Sequence, residues 1–105
     1  SSCEVNFIRT KHPRSAVSIT KDGKILFITV DGRFPEYASG VNIPELAHLI
    51  RILGGKDALN LDGGGSTTLW LSGVADNGIV NYPCDNKRFD HAGERKVPNI
   101  LYVHQ

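Results

Sequence analysis

Asp22-Gly23 sits between two runs that read as strands, and no other feature restricts the fold of this chain as strongly. An Asp-Gly pair between strand-like runs is a hairpin signal, because a tight hairpin turn needs residues that accept positive φ. Ahead of it, Ala16, Ser18 and Thr20 alternate with Ser15, Val17 and Ile19, the period of a half-buried strand. Behind it, Ile25-Leu26-Phe27-Ile28-Thr29-Val30 is almost unbroken apolar and β-branched sequence. That run predicts a strand buried on both faces. An isolated hairpin is marginal in water, so other elements must cover it.

The next element is a helix over about 43–53. Asn42 caps it, Pro44 falls in the first turn, and Glu45 stands three residues after the cap, as in a capping box. Leu46, Leu49, Ile50 and Leu53 follow at helical spacing, and Gly54-Gly55 ends the run. Asp57 to Leu61 reads as a short strand, Thr67 to Leu71 as another, and Pro98 to His104 as a closing one. Gly73 and Asp76-Asn77-Gly78 mark turns, and 82–96 reads as a long polar loop. Residues 1–13 end in His12-Pro13; proline disfavours helix just before it, so they read as an extended N-terminal arm. Strands outnumber helices. The expected class is α+β, a mixed or antiparallel sheet with one main helix packed on it.

Bulk properties exclude some functions. Twelve basic and 11 acidic residues leave a net charge of +1, and no run of Lys or Arg offers a nucleic-acid footprint. No apolar stretch approaches the ~20 residues that span a bilayer. The 105 residues amount to one domain or part of one, and with no methionine even at position 1 the expectation is a processed chain or a piece of a longer one. Cys3 and Cys84 fit no zinc spacing and no C-x-x-C motif. Two separate thiols and one disulfide both remain open, the second implying an oxidising compartment.

Three polar clusters stand beside expected strand ends: Asp31-Gly32-Arg33, the stretch Asp62 to Thr67, and Gly93-Glu94-Arg95. Such positions are rigidly held yet solvent-accessible. In the second cluster Gly63-Gly64-Gly65 accepts positive φ and close approach, its N–H groups could form an anion-binding nest, and Ser66 and Thr67 add hydroxyls at the edge. Three glycines alone are equally a plain turn. Asn60 and Asp62, two apart on one strand face, favour a site. Arg14, Arg33 and Arg95 are candidate anion clamps, since guanidinium grips phosphate through two N–H bonds at once. Asp31, Asp62 and Glu94 are the candidate catalytic carboxylates, which requires that they face one pocket; salt bridges to Arg33 and Arg95 are the plainer role for Asp31 and Glu94. His12, His48, His91 and His104 have no metal-ligand spacing, and no spacing demands a metal or a cofactor. His91 is a possible acid–base or supporting residue, Tyr82 a possible sugar-stacking ring, and Trp70, mid-strand, more plainly a core residue.

His12-Pro13-Arg14, Val30-Asp31-Gly32-Arg33, Glu45-Leu46-Ala47, Ala58 through Thr68, and Gly93 through Asn99 together resemble the phosphodiester glycosidase family. The resemblance runs from Arg14 to Val103. It implies hydrolysis of a sugar 1-phosphodiester of the N-acetylglucosamine type, with a phosphorylated sugar as substrate, in a secreted, cell-envelope or lumenal setting. By position it carries over Asp31, Asp62 and Glu94 as catalytic candidates. Arg14, Arg33, Asn60, Gly63, Gly64, Gly65, Ser66, Thr67 and Arg95 become the substrate-binding ones. It further implies that 14–105 is the C-terminal portion of a larger domain, completed by a preceding segment or by a second copy of the chain.

The bond to be broken suggests roles. Glycoside cleavage passes through an oxocarbenium-like state, so a carboxylate should face the anomeric carbon. Asp62 is the expected nucleophile or base and Glu94 the second carboxylate. Arg33, Arg95 and the glycine loop would hold the departing phosphate, with Asp31 orienting Arg33. The rival readings are a phosphosugar- or nucleotide-binding module without turnover, an inactive structural piece of an envelope protein, and a phosphodiesterase that cuts P–O.

Overall fold

The computed structural model describes residues 2–97, 100, 101 and 103, with the main chain alone for residues 2–5. The order is α1 (Ser2–Arg9), β1 (Arg14–Thr20), β2 (Ile25–Val30), α2 (Ile43–Ile52) and β3 (Gly55–Asn60). Two short 3-10 turns follow, at Gly64–Ser66 and Asp76–Gly78. The class is α+β, as expected.

The hairpin forms where the sequence places it. Gly23 takes φ +84°, Gly23 N donates to Thr20 O at 3.0 Å, and Thr20 N donates to Lys24 O at 2.9 Å. β1 and β2 pair antiparallel from Arg14↔Val30 to Ile19↔Ile25. β3 pairs antiparallel with the other side of β1, giving the sheet order β2-β1-β3. Between β2 and β3, α2 begins with the expected capping box: Glu45 N donates to Asn42 Oδ1 at 2.9 Å, and Asn42 N to Glu45 Oε1 at 3.0 Å. The helix turns Leu46 and Ile50 onto Ala16, with Ile28, Val30 and Val41 around them. Gly55 lets β3 return directly beneath the helix, where a Cβ would collide with Ser18 Oγ and the Ile50 side chain. Ser18, itself buried, closes that contact by donating to Asp57 O at 2.8 Å.

Several expectations need correction. β2 is not buried on both faces: among the described residues it lies at an edge of the sheet, and α2 covers only one side. The other side presents Ile19, Ile25, Phe27 and Leu59, each at least 39% exposed. The N-terminal arm is helical over Ser2–Arg9 rather than extended. Pro13 restricts only its neighbour His12, and α1 has already ended three residues before that. The helix is fastened at its C-terminal end by Arg14, whose Nη2 donates to Phe7 O at 2.7 Å and Thr10 O at 2.8 Å. A cation at that end of a helix also suits its dipole.

Thr67 to Leu71 does not form a strand; only an isolated bridge joins Trp70 to Ile79. The N–H of Leu69, which a ladder would need, is taken by the side chain of Asn81 at 2.8 Å. Trp70 is 60% exposed rather than a core residue, with its indole N–H on Asn77 O. Of the expected closing strand, Pro98, Asn99, Tyr102 and His104 lie outside the described residues, and Ile100, Leu101 and Val103 are exposed without regular structure.

Candidate functional site

Antiparallel pairing gathers the polar clusters at one end of the sheet. Arg14 opens β1, Asp31 follows the end of β2, and Asn60 ends β3; the registers Arg14↔Val30 and Ala16↔Asn60 put these three ends side by side. The third cluster reaches the same place through the coil, because Arg95 lies against Gly65.

The glycine run is packed from both sides. Below it runs the His12-Pro13 segment, so close to Gly32, Gly40 and Gly63 that a side chain at any of the three would overlap its main chain. Gly64 N donates to Pro13 O at 2.9 Å, and Ser15 Oγ donates to Asp62 O. Above it lie two guanidinium groups. A Cβ on Gly64 would stand 3.0 Å from Arg33 Nη2, and one on Gly65 would overlap Arg95 Nη2. Gly64 takes φ +60°, and Arg33 is itself left-handed at φ +61°, a backbone conformation that costs a non-glycine residue roughly 1 kcal/mol or more.

The N–H groups around the glycine run are partly taken up within the chain. Gly64 N–H is committed to Pro13, Ser66 N–H to Gly63 O and Thr67 N–H to Gly64 O. The N–H groups of Gly63 and Gly65 are not among these, and the two arginines stand against the same turn. Thr67 is not at the rim: it is 1% exposed, and its hydroxyl and that of Thr68 have no partner among the described residues.

Charges around the pair are organised. Arg95 donates to Asp85 Oδ1 through Nη2 at 2.7 Å and Nε at 3.2 Å. This contact holds Asp85 below the ordinary carboxylate value, the Arg95 charge and then that of Arg33 adding to it, and it raises Arg95. Arg33 Nη2 lies 3.4 Å from His12 Nδ1. Burial first, then the charges of Arg33 and Arg14, lower the His12 pKa. Neutral His12 can accept from Arg33 through Nδ1 with its proton on Nε2.

Asp31 is tied elsewhere than expected. Its Oδ1 accepts from Asn81 Nδ2 at 3.0 Å and from Tyr82 N at 3.1 Å, not from Arg33. Asn81, buried, also donates to Thr67 O at 2.8 Å and accepts Leu69 N–H, so it joins the tip of β2 to the segment after the glycines. His91 Nδ1 donates to Asn81 O at 2.7 Å, a supporting position. Sequence reasoning passed over Asn81, and Asp85 as the partner of Arg95. Both lie in a stretch rich in Asn, Asp and Pro, where turn chemistry explains any one of them.

Arg14 is not at the surface of the site. It is 2% exposed, with Nε on Val41 O at 3.0 Å and Nη2 on the two α1 carbonyls. Burial lowers its pKa. Asn60, Asp62 and Glu94 are exposed; the carboxylates of Asp62 and Glu94 make no hydrogen bond or ion pair among the described residues. Of the three carboxylates, Asp31 alone is held by hydrogen bonds among the described residues, from Asn81 and Tyr82. Two shallow concavities lie elsewhere, one at the far end of the sheet around Lys21, Lys24 and Lys56 and one beside α2 at Val41 and His48. Among the described residues no group of His, Cys, Asp and Glu is placed to hold a metal ion. Cys84 is buried, and its pairing with Cys3 lies outside the described side chains.

A family model described as phosphodiester glycosidase matches residues 2–104. The mouse N-acetylglucosamine-1-phosphodiester alpha-N-acetylglucosaminidase is 31% identical over 101 residues, which is 94% of this chain and 18% of that protein. The SPbeta prophage-derived uncharacterized protein YomE of Bacillus subtilis (strain 168) is 38% identical over 92 residues, 75% of this chain and 14% of its own length. Among solved structures, the zebrafish N-acetylglucosamine-1-phosphodiester alpha-N-acetylglucosaminidase catalytic domain, auto-inhibited by its pro-peptide, superposes with a TM-score of 0.64 at 32% identity. That superposition covers 75% of this chain and 24% of the zebrafish one. The chain thus spans less than a quarter of each of these relatives.

Proposed function

This chain belongs to the phosphodiester glycosidase family, and from that premise we propose that it supplies the phosphate-holding part of a site that hydrolyses a sugar 1-phosphodiester of the N-acetylglucosamine type. The observation that carries the proposal is the placement of Arg33 and Arg95 against adjacent glycines, Gly64 and Gly65. Two guanidinium groups over a side-chain-free surface suit a phosphodiester, whose two unesterified oxygens can each take paired N–H bonds. A phosphate ester leaves as a stable anion, so stabilising that anion counts for more here than protonating it.

Asp62, exposed at the start of the run, is the proposed nucleophile or base at the anomeric carbon. Glu94, one residue before Arg95, is the second carboxylate. Asp31 acts through Asn81 rather than on the sugar. Asp85 holds Arg95 in place over Gly65 and moderates its charge. Asn60, Gly63 and Ser66 form the floor and edge of the site. The surface is open among the described residues, so the proposal includes a second wall from the rest of the family domain or from a second copy. A secreted or lumenal setting accompanies it; no helix of the described residues is long and apolar enough to cross a membrane.

The test is turnover of N-acetylglucosamine 1-(methyl phosphate) by the intact natural protein in heavy-oxygen water. The expected result is label in the released sugar and at least a hundredfold loss of kcat/KM in Asp62→Asn. Label in the phosphate product would mean P–O cleavage, and tight binding with no turnover would mean a binding module. Either result, or full activity in Asp62→Asn, overturns the assignment.

A further inference from the structure

His12 is mounted more firmly than a connecting residue needs to be. Its N–H donates to Val41 O at 3.1 Å and its carbonyl accepts from Val41 N at 3.0 Å, an isolated antiparallel bridge. Gly40 packs so closely against that bridge that a Cβ there would overlap the His12 carbonyl. The next residue, Pro13, takes the Gly64 N–H on its own carbonyl at 2.9 Å. The main chain of His12 is therefore fixed relative to the glycine run. From this mount the ring brings Nδ1 to 3.4 Å from Arg33 Nη2.

Arg33 is a side chain that needs holding. It springs from a left-handed main chain at φ +61°, and such a conformation persists only where neighbours over-determine it. A Cβ on Gly64 would stand 3.0 Å from Nη2 and 3.2 Å from Nη1, so the glycine surface supports the guanidinium but offers it no acceptor side chain. Among the described residues Arg33 forms no ion pair. Asp85 feels its charge but is bonded to Arg95. The acceptor that the guanidinium finds is His12 Nδ1.

An imidazole accepts only while one nitrogen is bare. With its proton on Nε2, His12 accepts through Nδ1; a second proton goes onto Nδ1 itself, and two donors with two positive charges then face each other. The charged groups facing the ring are Arg33, from the loop after β2, and Arg14, from β1. Lys11 beside it is paired with Glu45 of α2 at 3.5 Å, and the Gly40-Val41 segment carries no charge. Burial and the two arginines keep the ring neutral to below its ordinary 6.5.

We propose that His12 is a positioning residue for Arg33, holding the guanidinium at the phosphate through Nδ1 while neutral and releasing it on gaining a proton, so that the phosphate hold weakens in acid. The inference rests on the arginine pair being the phosphate site of the reaction proposed above. His12 acts through Arg33 and not on the substrate.

The experiment follows kcat/KM for N-acetylglucosamine 1-(methyl phosphate) against pH on the intact natural protein, His12→Asn and His12→Ala. This substrate keeps a single negative charge throughout. Asparagine places an acceptor near the position of Nδ1 and does not titrate. Near neutral pH, His12→Ala should lose about tenfold, and His12→Asn should recover to within about threefold of wild type. The ratio of wild-type to His12→Asn kcat/KM cancels the titration of Asp62 and Glu94, which both proteins share. It should fall about tenfold from neutral pH to well below the His12 pKa. The midpoint of that fall should match the His12 pKa read by NMR, and Arg33→Ala should move that pKa upward. A ratio that is flat overturns the inference and leaves the reaction intact. So does a ratio that rises in acid, which would make protonated His12 a phosphate ligand itself, or a His12 pKa indifferent to Arg33→Ala. Absence of wild-type turnover at every pH overturns the reaction, and the inference with it.

Discussion

Replacing Asn81 with alanine removes three side-chain hydrogen bonds at once, to Leu69 N, Thr67 O and Asp31 Oδ1. Two of the groups left behind are main-chain atoms of the segment that follows the glycines, and Thr67 is almost fully buried. Each neutral bond contributes about 1 kcal/mol net, and a stranded buried group costs more. The bond to Asp31 is partly open to water, which can replace it. The sum is about 3 kcal/mol, readable as a shift in the midpoint of equilibrium urea denaturation. A loss below about 1 kcal/mol would refute the view that Asn81 joins the tip of β2 to the glycine loop. Asn81→Asp sharpens the test. It keeps the acceptor for Leu69 N–H but turns oxygens toward Thr67 O and Asp31. Its folded pKa is then raised above the unfolded value of about 3.9. The variant should approach wild-type stability below that pH and lose it as pH rises through the raised folded value.

The remaining predictions concern the residues around the arginines. His12 has a lowered pKa, so its neutral form contributes stability that is present above the unfolded value of about 6.5 and lost as pH falls through the folded one; melting curves of His12→Gln should be flatter across that acidic window than those of wild type. Gly65→Ala should displace Arg95 and Asp85, since a Cβ there would stand 2.6 Å from Asp85 Oδ1; stability should fall by about 1 kcal/mol or less because both side chains can swing outward, while phosphodiester turnover falls at least tenfold. Asp85→Asn should change stability by under about 0.5 kcal/mol, the pair being 45% and 42% exposed, and should lower kcat/KM by loosening Arg95; equal thermal shifts and unchanged kinetics would assign the pair no role in the site.

What could be read in the sequence was what neighbouring residues decide among themselves. The Asp22-Gly23 turn and the Asn42–Glu45 capping box are set within a few residues, and both formed as expected. Arg33 and Arg95 stand against the glycine run, although nothing in the spacing of those motifs required it. Partnerships across the chain were not legible. Nothing near Ile25 to Val30 states that the strand stands at an edge. Arg14 resembled a surface clamp because its acceptors, at Phe7, Thr10 and Val41, are carbonyls, which every sequence contains. Nor did the glycine run announce that the N–H of its middle residue, Gly64, is taken by Pro13 O.

That use of carbonyls by Arg14 has a consequence for how this segment can drift over generations. A side-chain partner must change in step with its mate, but a carbonyl survives any replacement of the residue that bears it. Positions 10 and 41 can therefore vary without disturbing the clasp, and substitution there should show no correlation with position 14. Position 7 is the exception, because the guanidinium carbon also sits 4.8 Å above the Phe7 ring, and an aromatic residue there should be retained. Arg14 itself has no such freedom. Lysine reaches with a single ammonium and lacks the planar fork that spans three separate carbonyls. The clasp is thus intolerant at one residue and permissive at most of its partners, a pattern by which it can be traced through divergent copies of the segment.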